Sequence, residues 1–260
     1  MKELLALLTL GFLMASSPGC SESRAAEPSP SAKPGPNATQ QWAADVEVYE
    51  RAVGKSHGLT PEQIQQAMEA LRKAPSFRNR FLGVLTVQNP TDAWVVMEIM
   101  YDVKPDLIVE TGTFQGGSAA LWAVILEHIN PRGRVLTIDI EDQRTPRSRA
   151  LSISRRKVDF LLGSSTDPKI IAEVQRRAKG KRVLVLLDSL HSKEHVAAEL
   201  EAYAPLVAVD SYVIVQDTMV GPKAAIDEFL AANDSFIADR SRERYKDTNT
   251  VRGYLRRVAP

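Results

Sequence analysis

Residues 104 to 119 read KPDLIVETGTFQGGSA. An apolar run from Leu107 stops at an acid, Glu110, turns through Gly112, Gly116 and Gly117, and enters the amphipathic stretch Ser118 to Ile129. This is the pattern of a buried strand feeding a helix, with a turn where the backbone can approach a ligand and where the helix N-terminus favours polar or anionic groups. The turn is not the dinucleotide fingerprint, because Gly112 and Gly116 are spaced G-x-x-x-G where G-x-G-x-x-G is required. Glu110 just before it would repel a pyrophosphate and suits a cationic ligand. S-adenosylmethionine has that character, with a sulfonium and an amino group for the first loop and a ribose diol for an acid at the end of the next strand, here Asp139. Another nucleotide, or a tight turn without a ligand, remains compatible with the loop taken alone.

Working outward, four more apolar runs read as buried strands: Val135 to Asp139, Val158 to Leu162, Val183 to Leu187 and Tyr212 to Val215. Helical patterns lie between them, at Ser118 to Ile129, weakly at Arg147 to Arg156, then at Lys169 to Lys179 and Glu194 to Leu206. Strand starts recur about every 23 to 29 residues, the length of a strand, a helix and two short loops. The fold class is therefore α/β, a Rossmann-like, doubly wound, mostly parallel sheet. Near the C-terminus Phe236 to Asp239 and Val251 to Val258 bracket a charged, turn-rich segment, which predicts an antiparallel hairpin at the sheet edge. Two helices are expected upstream of the sheet, over Trp42 to Ala52 and Glu62 to Lys73.

In such a sheet a ligand lies beyond the carboxyl ends of the strands. The five runs end in Glu110 and Gly112, in Asp139, in Gly163, Ser164 and Ser165, in Asp188, and in Gln216 and Asp217. An acid after a strand also serves as the N-cap of the next helix, and for Asp188 alone either reading holds. Polar ends on all five strands are harder to ascribe to capping.

Composition narrows the partners. The 260 residues are 44% hydrophobic and 25% charged, with 33 Lys and Arg against 32 Asp and Glu, so the chain is globular and has no field to draw it onto nucleic acid. The single cysteine, Cys20, rules out an internal disulfide and a cysteine-based zinc site. Residues 1 to 20 have the form of a secretory signal, and Gly19-Cys20 at its end resembles a bacterial lipobox, implying a lipid-anchored, exported lipoprotein. An ordinary signal peptide or an uncleaved anchor fits the same residues. Residues 21 to 40 are a proline- and serine-rich tether, and residues 41 to 260 are expected to form one domain with a helical N-terminal extension. Whether the chain forms a homo-oligomer is left open by its sequence.

Six ordered blocks carry a family resemblance: KPDLIVETGTFQGGSA (104 to 119), GRVLTIDI (133 to 140), LLGSSTDP (161 to 168), LLDSLHSKEHVAAELEAYAPLV (186 to 207), SYVIVQDT (211 to 218) and GYLRRV (253 to 258). The sequence resembles the cephalosporin hydroxylase and rhamnosyl O-methyltransferase family, class I S-adenosylmethionine-dependent methyltransferases related to macrolide sugar O-methyltransferases. The resemblance implies a seven-stranded sheet ending in an antiparallel hairpin, and cofactor contacts from Glu110, Gly112, Ser118, Asp139, Ser164 and Asp188. It implies a magnesium ion held between Asp188, Gln216 and Asp217, although some relatives have Glu-Asp where this chain has Gln216-Asp217 and an amide is the weaker ligand for a hard cation. His191, three residues after Asp188, matches the general base of the macrolide sugar enzymes. The expected reaction is methylation of a hydroxyl on a sugar-like, glycolipid or polyketide-like small molecule, with His191 taking the hydroxyl proton; capping of the following helix is the alternative role for His191.

Competing readings are weaker. An exported binding protein of the same fold without catalysis is the chief rival, motivated by the signal segment. His191 to His195 also spells the inverted zinc-protease pattern H-x-x-E-H, whose third ligand is a glutamate far downstream, and the last glutamate here is Glu243. An iron-dependent hydroxylase would need two histidines and a carboxylate converging on iron, a set not visible outside that helix. His57, His128 and His195 read as surface residues, and Arg144, Arg147 and Arg149 as a solvated stretch.

Overall fold

A computed structural model describes residues 79–218, 221–245 and 247–260. The signal segment, the tether and the helices expected over 42–52 and 62–73 lie outside the described residues. Two short antiparallel strands, β1 (Arg80–Phe81) and β2 (Val84–Leu85), lead into helix α1 (Pro90–Val103). The Rossmann-like repeat follows: β3 (Leu107–Thr111), α2 (Gly117–Ile129), β4 (Arg134–Asp139), the short helices α3 (Pro146–Ala150) and α4 (Ser152–Lys157), β5 (Val158–Leu162), α5 (Pro168–Ala178), β6 (Val183–Leu187), α6 (Lys193–Tyr203), β7 (Tyr212–Val215) and α7 (Pro222–Ala232). Strands β8 (Phe236–Ala238) and β9 (Tyr254–Arg257) close the chain.

The seven-stranded sheet runs in the order β5-β4-β3-β6-β7-β9-β8, with β5 through β7 parallel. Alternation along each strand divides the core in two. Leu107, Val109, Val183, Val185, Leu187, Val213 and Val215 face α5, α6 and α7, whereas Ile108, Leu184, Leu186, Tyr212 and Ile214 face α1 and α2. Both faces are covered, which is why these strands read as unbroken apolar runs.

The C-terminal pair is antiparallel and lies at the sheet edge as expected, but it is inserted in reverse. The later strand β9 pairs with β7, leaving β8 outermost. Its second member is shorter than the expected 251–258, because residues 251–253 form a turn whose Gly253 approaches the backbone of Val215; a Cβ there would lie 2.1 Å from the Val215 carbonyl oxygen. The weak helix over Arg147 to Arg156 is two helices broken at Leu151, which serves as C-cap of the first and N-cap of the second.

Helices α1 and α7 were not anticipated in the sequence. Both carried a start signal: Asn89-Pro90 puts a capping side chain before a proline at the first helical position, and the Asn89 oxygen accepts from the Thr91 amide at 2.9 Å. Gly221-Pro222 repeats the proline signal without the side-chain cap. Among the described residues no helix is long and apolar enough to cross a membrane.

Candidate active site

Beyond the carboxyl ends of β3, β4, β5 and β6 lies a cleft of about 680 Å³. Gly112, Ser118, Asp139, Ser164, Asp188 and Asp217 line it together with His191, so one concavity gathers residues expected from five different strand ends. Its size falls in the range of cofactor pockets.

The glycine turn is held from both sides. Gly112 has φ +87°, and a Cβ on it would lie 2.0 Å from the Asp188 carbonyl oxygen, so β3 and β6 approach each other more closely here than any side chain allows. Gly117, the first residue of α2, abuts β2 in the same manner, with a Cβ meeting Thr86 Oγ1 at 2.1 Å. The amides of Thr113 and Phe114 donate to Asp139 Oδ2 at 3.0 and 2.8 Å. Asp139 Oδ1 receives only the Glu141 amide at 3.3 Å, and this leaves an acceptor oxygen facing the cleft suited to a diol.

Glu110 sits one layer beneath this surface and does not line the cleft. It is 1% exposed; Trp122 Nε1 donates to its Oε1 at 3.0 Å and Thr137 Oγ1 to its Oε2 at 2.7 Å, with Ser118 bonded to the same carboxyl. Burial pushes its pKa up to about 7, against the opposing pull of these three donors. Its place in the structure is a buried brace linking the ends of β3, β4 and α2.

At the other end of the cleft Asp188, His191 and Asp217 converge, with one ligand atom from each lying within 4.8 Å of the others. His191 Nε2 is 3.4 Å from Asp217 Oδ2 and 3.9 Å from Asp188 Oδ1. Asp217 adopts a left-handed backbone, φ +50°, which turns its side chain toward His191 from the end of β7. Burial, followed by the nearby charges of Asp217 and Glu110, raises the Asp188 carboxyl well above its usual range, with a Gln88 hydrogen bond opposing. Two hard oxygen donors and an imidazole at this spacing can hold a divalent cation.

Gln216, expected with Asp188 and Asp217 at the metal, adjoins that convergence. Its amide is buried against the amide of Gln88, whose Nε2 donates to Asp188 Oδ2 at 2.9 Å. The Gln216 amide nitrogen also donates to Asp188 Oδ2, at 2.8 Å. The glutamine thus braces Asp188 from behind, and the third group at the cluster is His191. Gln88, a hundred residues upstream of Asp188, carries no sequence signal that would have joined it to this site.

His195 departs from its expected surface position. It lines the cleft, with Nε2 3.1 Å from Ser165 Oγ, 3.0 Å from Ser189 Oγ and 3.3 Å from Glu199 Oε1. Glu199 is fully buried and also accepts from Ser189 Oγ at 2.7 Å; the hydrogen bond between His195 and Glu199 raises the His195 pKa. Because His195 turns to Glu199 and His191 to the two aspartates, H-x-x-E-H does not converge on a metal. Ser164 pairs its hydroxyl with Thr166 at 3.0 Å. Arg144 and Arg149 share Asp142 and Arg147 holds the Leu82 carbonyl, so these arginines are engaged with the protein itself.

The fold agrees with that of known proteins. The rhamnosyl O-methyltransferase/CmcI family profile matches residues 74–258. The rhamnosyl O-methyltransferase of Mycobacterium bovis (strain BCG / Pasteur 1173P2) is 30% identical, over 68% of this chain and 78% of that protein, and the one of Mycobacterium leprae (strain TN) is 30% identical over 63% and 70%. Among solved structures, one described as cmcI-D160 Mg-SAM superposes with a TM-score of 0.57 over 79% of this chain and 88% of that one, at 18% identity, a likeness of fold. The chain belongs to the rhamnosyl O-methyltransferase/CmcI family of S-adenosylmethionine-dependent O-methyltransferases.

Proposed function

We propose that the protein methylates a hydroxyl of a rhamnosyl or similar sugar with the help of a magnesium ion. The observation that carries this reading is the convergence of Asp188, His191 and Asp217 at one end of the cleft whose other walls are the glycine turn and Asp139. The mycobacterial relatives are named for a rhamnosyl acceptor, and a CmcI structure is described with magnesium and S-adenosylmethionine; both support the assignment.

The residues present fit these groups. Asp139 Oδ1 is placed for a ribose diol, and Asp188 with Asp217 offers two carboxylates for a hard cation. When bound, the cofactor supplies an electrophilic methyl group and the cation makes a nearby hydroxyl more acidic. His191 takes the hydroxyl proton on Nε2, and Asp217 at 3.4 Å stabilises the imidazolium that results. With the donor held by the glycine turn and Asp139, the acceptor oxygen would bond to the methyl carbon as the carbon–sulfur bond breaks, and S-adenosylhomocysteine would leave. Gln88 and Gln216 hold Asp188 in place throughout.

His191→Ala tests the assignment. Turnover is expected to fall about 10²- to 10⁴-fold, while calorimetric affinities for S-adenosylhomocysteine and Mg²⁺ stay within a few-fold of wild type. Retained turnover rejects His191 as the base; loss of Mg²⁺ affinity makes it a ligand instead.

A further inference from the structure

Helix α6 turns three side chains at four-residue spacing, His195, Glu199 and Tyr203, toward two loops that line the cleft. In the loop after β5, the Ser165 carbonyl accepts from Tyr203 OH at 2.5 Å, and Ser165 Oγ lies 3.1 Å from His195 Nε2. In the loop after β6, Ser189 Oγ lies 3.0 Å from the same nitrogen and donates to Glu199 Oε1 at 2.7 Å. Glu199 Oε1 closes the cluster at 3.3 Å from His195 Nε2. A Ser–His–acid relay uses both ring nitrogens of its histidine. Here every contact falls on Nε2, so the cluster ties two loops to a helix and activates no nucleophile.

The tie is costly to the fold. Glu199 is fully buried, and its Oε2 has no hydrogen-bond partner among the described residues. Burying a carboxylate is unfavourable unless both oxygens are satisfied, and an apolar side chain of similar volume is often as stable at such a site or more so. The other buried positions of α6 are Val196, Leu200 and Tyr203, so leucine would suit position 199 on packing grounds alone. What leucine cannot do is hold Ser189. That residue sits between Asp188, whose amide is fixed by the Thr111 carbonyl at 3.1 Å, and His191, whose carbonyl would lie 2.1 Å from a Cβ placed on Gly221. The His191 ring reaches Asp217 at 3.4 Å, and a displacement of about 1 Å in a reacting group costs about 10²-fold in rate.

We infer that Glu199 is a positioning residue for methyl transfer: through Ser189 and His195 it fixes the loop that carries Asp188 and His191 against the loop that carries Ser164 and Ser165. Glu199 does not itself line the cleft. Its effect on rate rests on the function proposed above; its effect on the placement of His191 does not.

Glu199→Leu, Glu199→Gln and Ser189→Ala in the full chain test this. With Mg²⁺, S-adenosylmethionine and methyl α-L-rhamnopyranoside, Glu199→Leu is expected to lose about 10- to 10²-fold in kcat, with S-adenosylhomocysteine affinity within a few-fold of wild type and a thermal midpoint no lower. Glu199→Gln keeps an acceptor for Ser189 and is expected to recover most of the lost kcat. Ser189→Ala is expected to lower kcat alone but not further in the Glu199→Leu background. A merely structural role would instead lower midpoint and kcat together in both Glu199 variants; that result, or wild-type kcat in Glu199→Leu, overturns the inference. The imidazole NMR signals of His191, assigned with His191→Ala, read the loop without acceptor or cation, and are expected to move in Glu199→Leu and return in Glu199→Gln. A wild-type protein that methylates no glycoside overturns the rhamnosyl reading, and the NMR signals then decide the inference: His191 signals unmoved in Glu199→Leu overturn it.

Discussion

Replacing Glu110 by glutamine isolates a charge that the fold holds at a cost. The carboxyl titrates at about 7 in the folded protein, raised from 4.5 chiefly by burial. Between those two values the unfolded chain binds fewer protons than the native one, so stability falls as pH rises from the unfolded value through the folded one. From pH 5 to pH 8 the loss integrates to about 2.5 kcal/mol. Glutamine cannot ionise, but its single oxygen serves only one of the two donors, Trp122 and Thr137, for a penalty of about 1–2 kcal/mol that does not depend on pH. Glu110→Gln is therefore expected to be less stable than wild type at pH 5 and more stable at pH 8, with the two curves crossing between. Urea denaturation of both proteins across that range, at fixed ionic strength, measures the difference directly. Parallel curves, with the same difference at both ends, would show that Glu110 is not a buried, high-pKa group.

Two further substitutions probe the framework. Gly112→Ala places a Cβ against the Asp188 carbonyl in a left-handed backbone; it is expected to lower stability by at least about 3 kcal/mol in a denaturant titration and to weaken S-adenosylhomocysteine binding, because relief requires β6 to shift. Asp92→Ala removes the acceptor of bonds from Thr248 Oγ1 at 2.5 Å, the Asn249 amide at 2.7 Å and Tyr254 OH at 3.0 Å. A loss of about 3 kcal/mol is expected in a denaturant titration.

What the sequence made legible follows from burial and periodicity. Strands β3, β6 and β7 are enclosed on both faces, so each leaves an uninterrupted apolar run, and the polar residue ending each of the five runs falls at the sheet's carboxyl edge by construction. Asp139, Asp188 and Asp217 were found in this way. Glu110 and Gln216 were found by the same rule but face inward, because a strand-end position fixes the height of a residue and not the direction of its side chain. Gln88 reaches the site from the segment before α1, where no periodic pattern exists, and Asn89, Thr91 and Asp92 together hold the turn before β9 against α1. His195 lies on the buried side of a polar-looking helix, a position that its neighbours in sequence do not reveal because Glu199, its partner one turn on, is itself buried.

The insertion of β9 between β7 and β8 bears on how the protein is made. On the ribosome β7 and β8 emerge well before residues 254–257, so the free edge of β7 has no native neighbour until the last strand of the sheet has left the exit tunnel. An unpaired strand edge of continuous apolar residues is an aggregation hazard, and Tyr212 to Val215 is such a strand. Synthesis halted between Ala238 and Tyr254 would yield a chain holding every residue that lines its cofactor cleft yet lacking the strand that joins β8 to the sheet. Chaperone demand and sensitivity to premature termination are thus set by four residues that do not line the cleft.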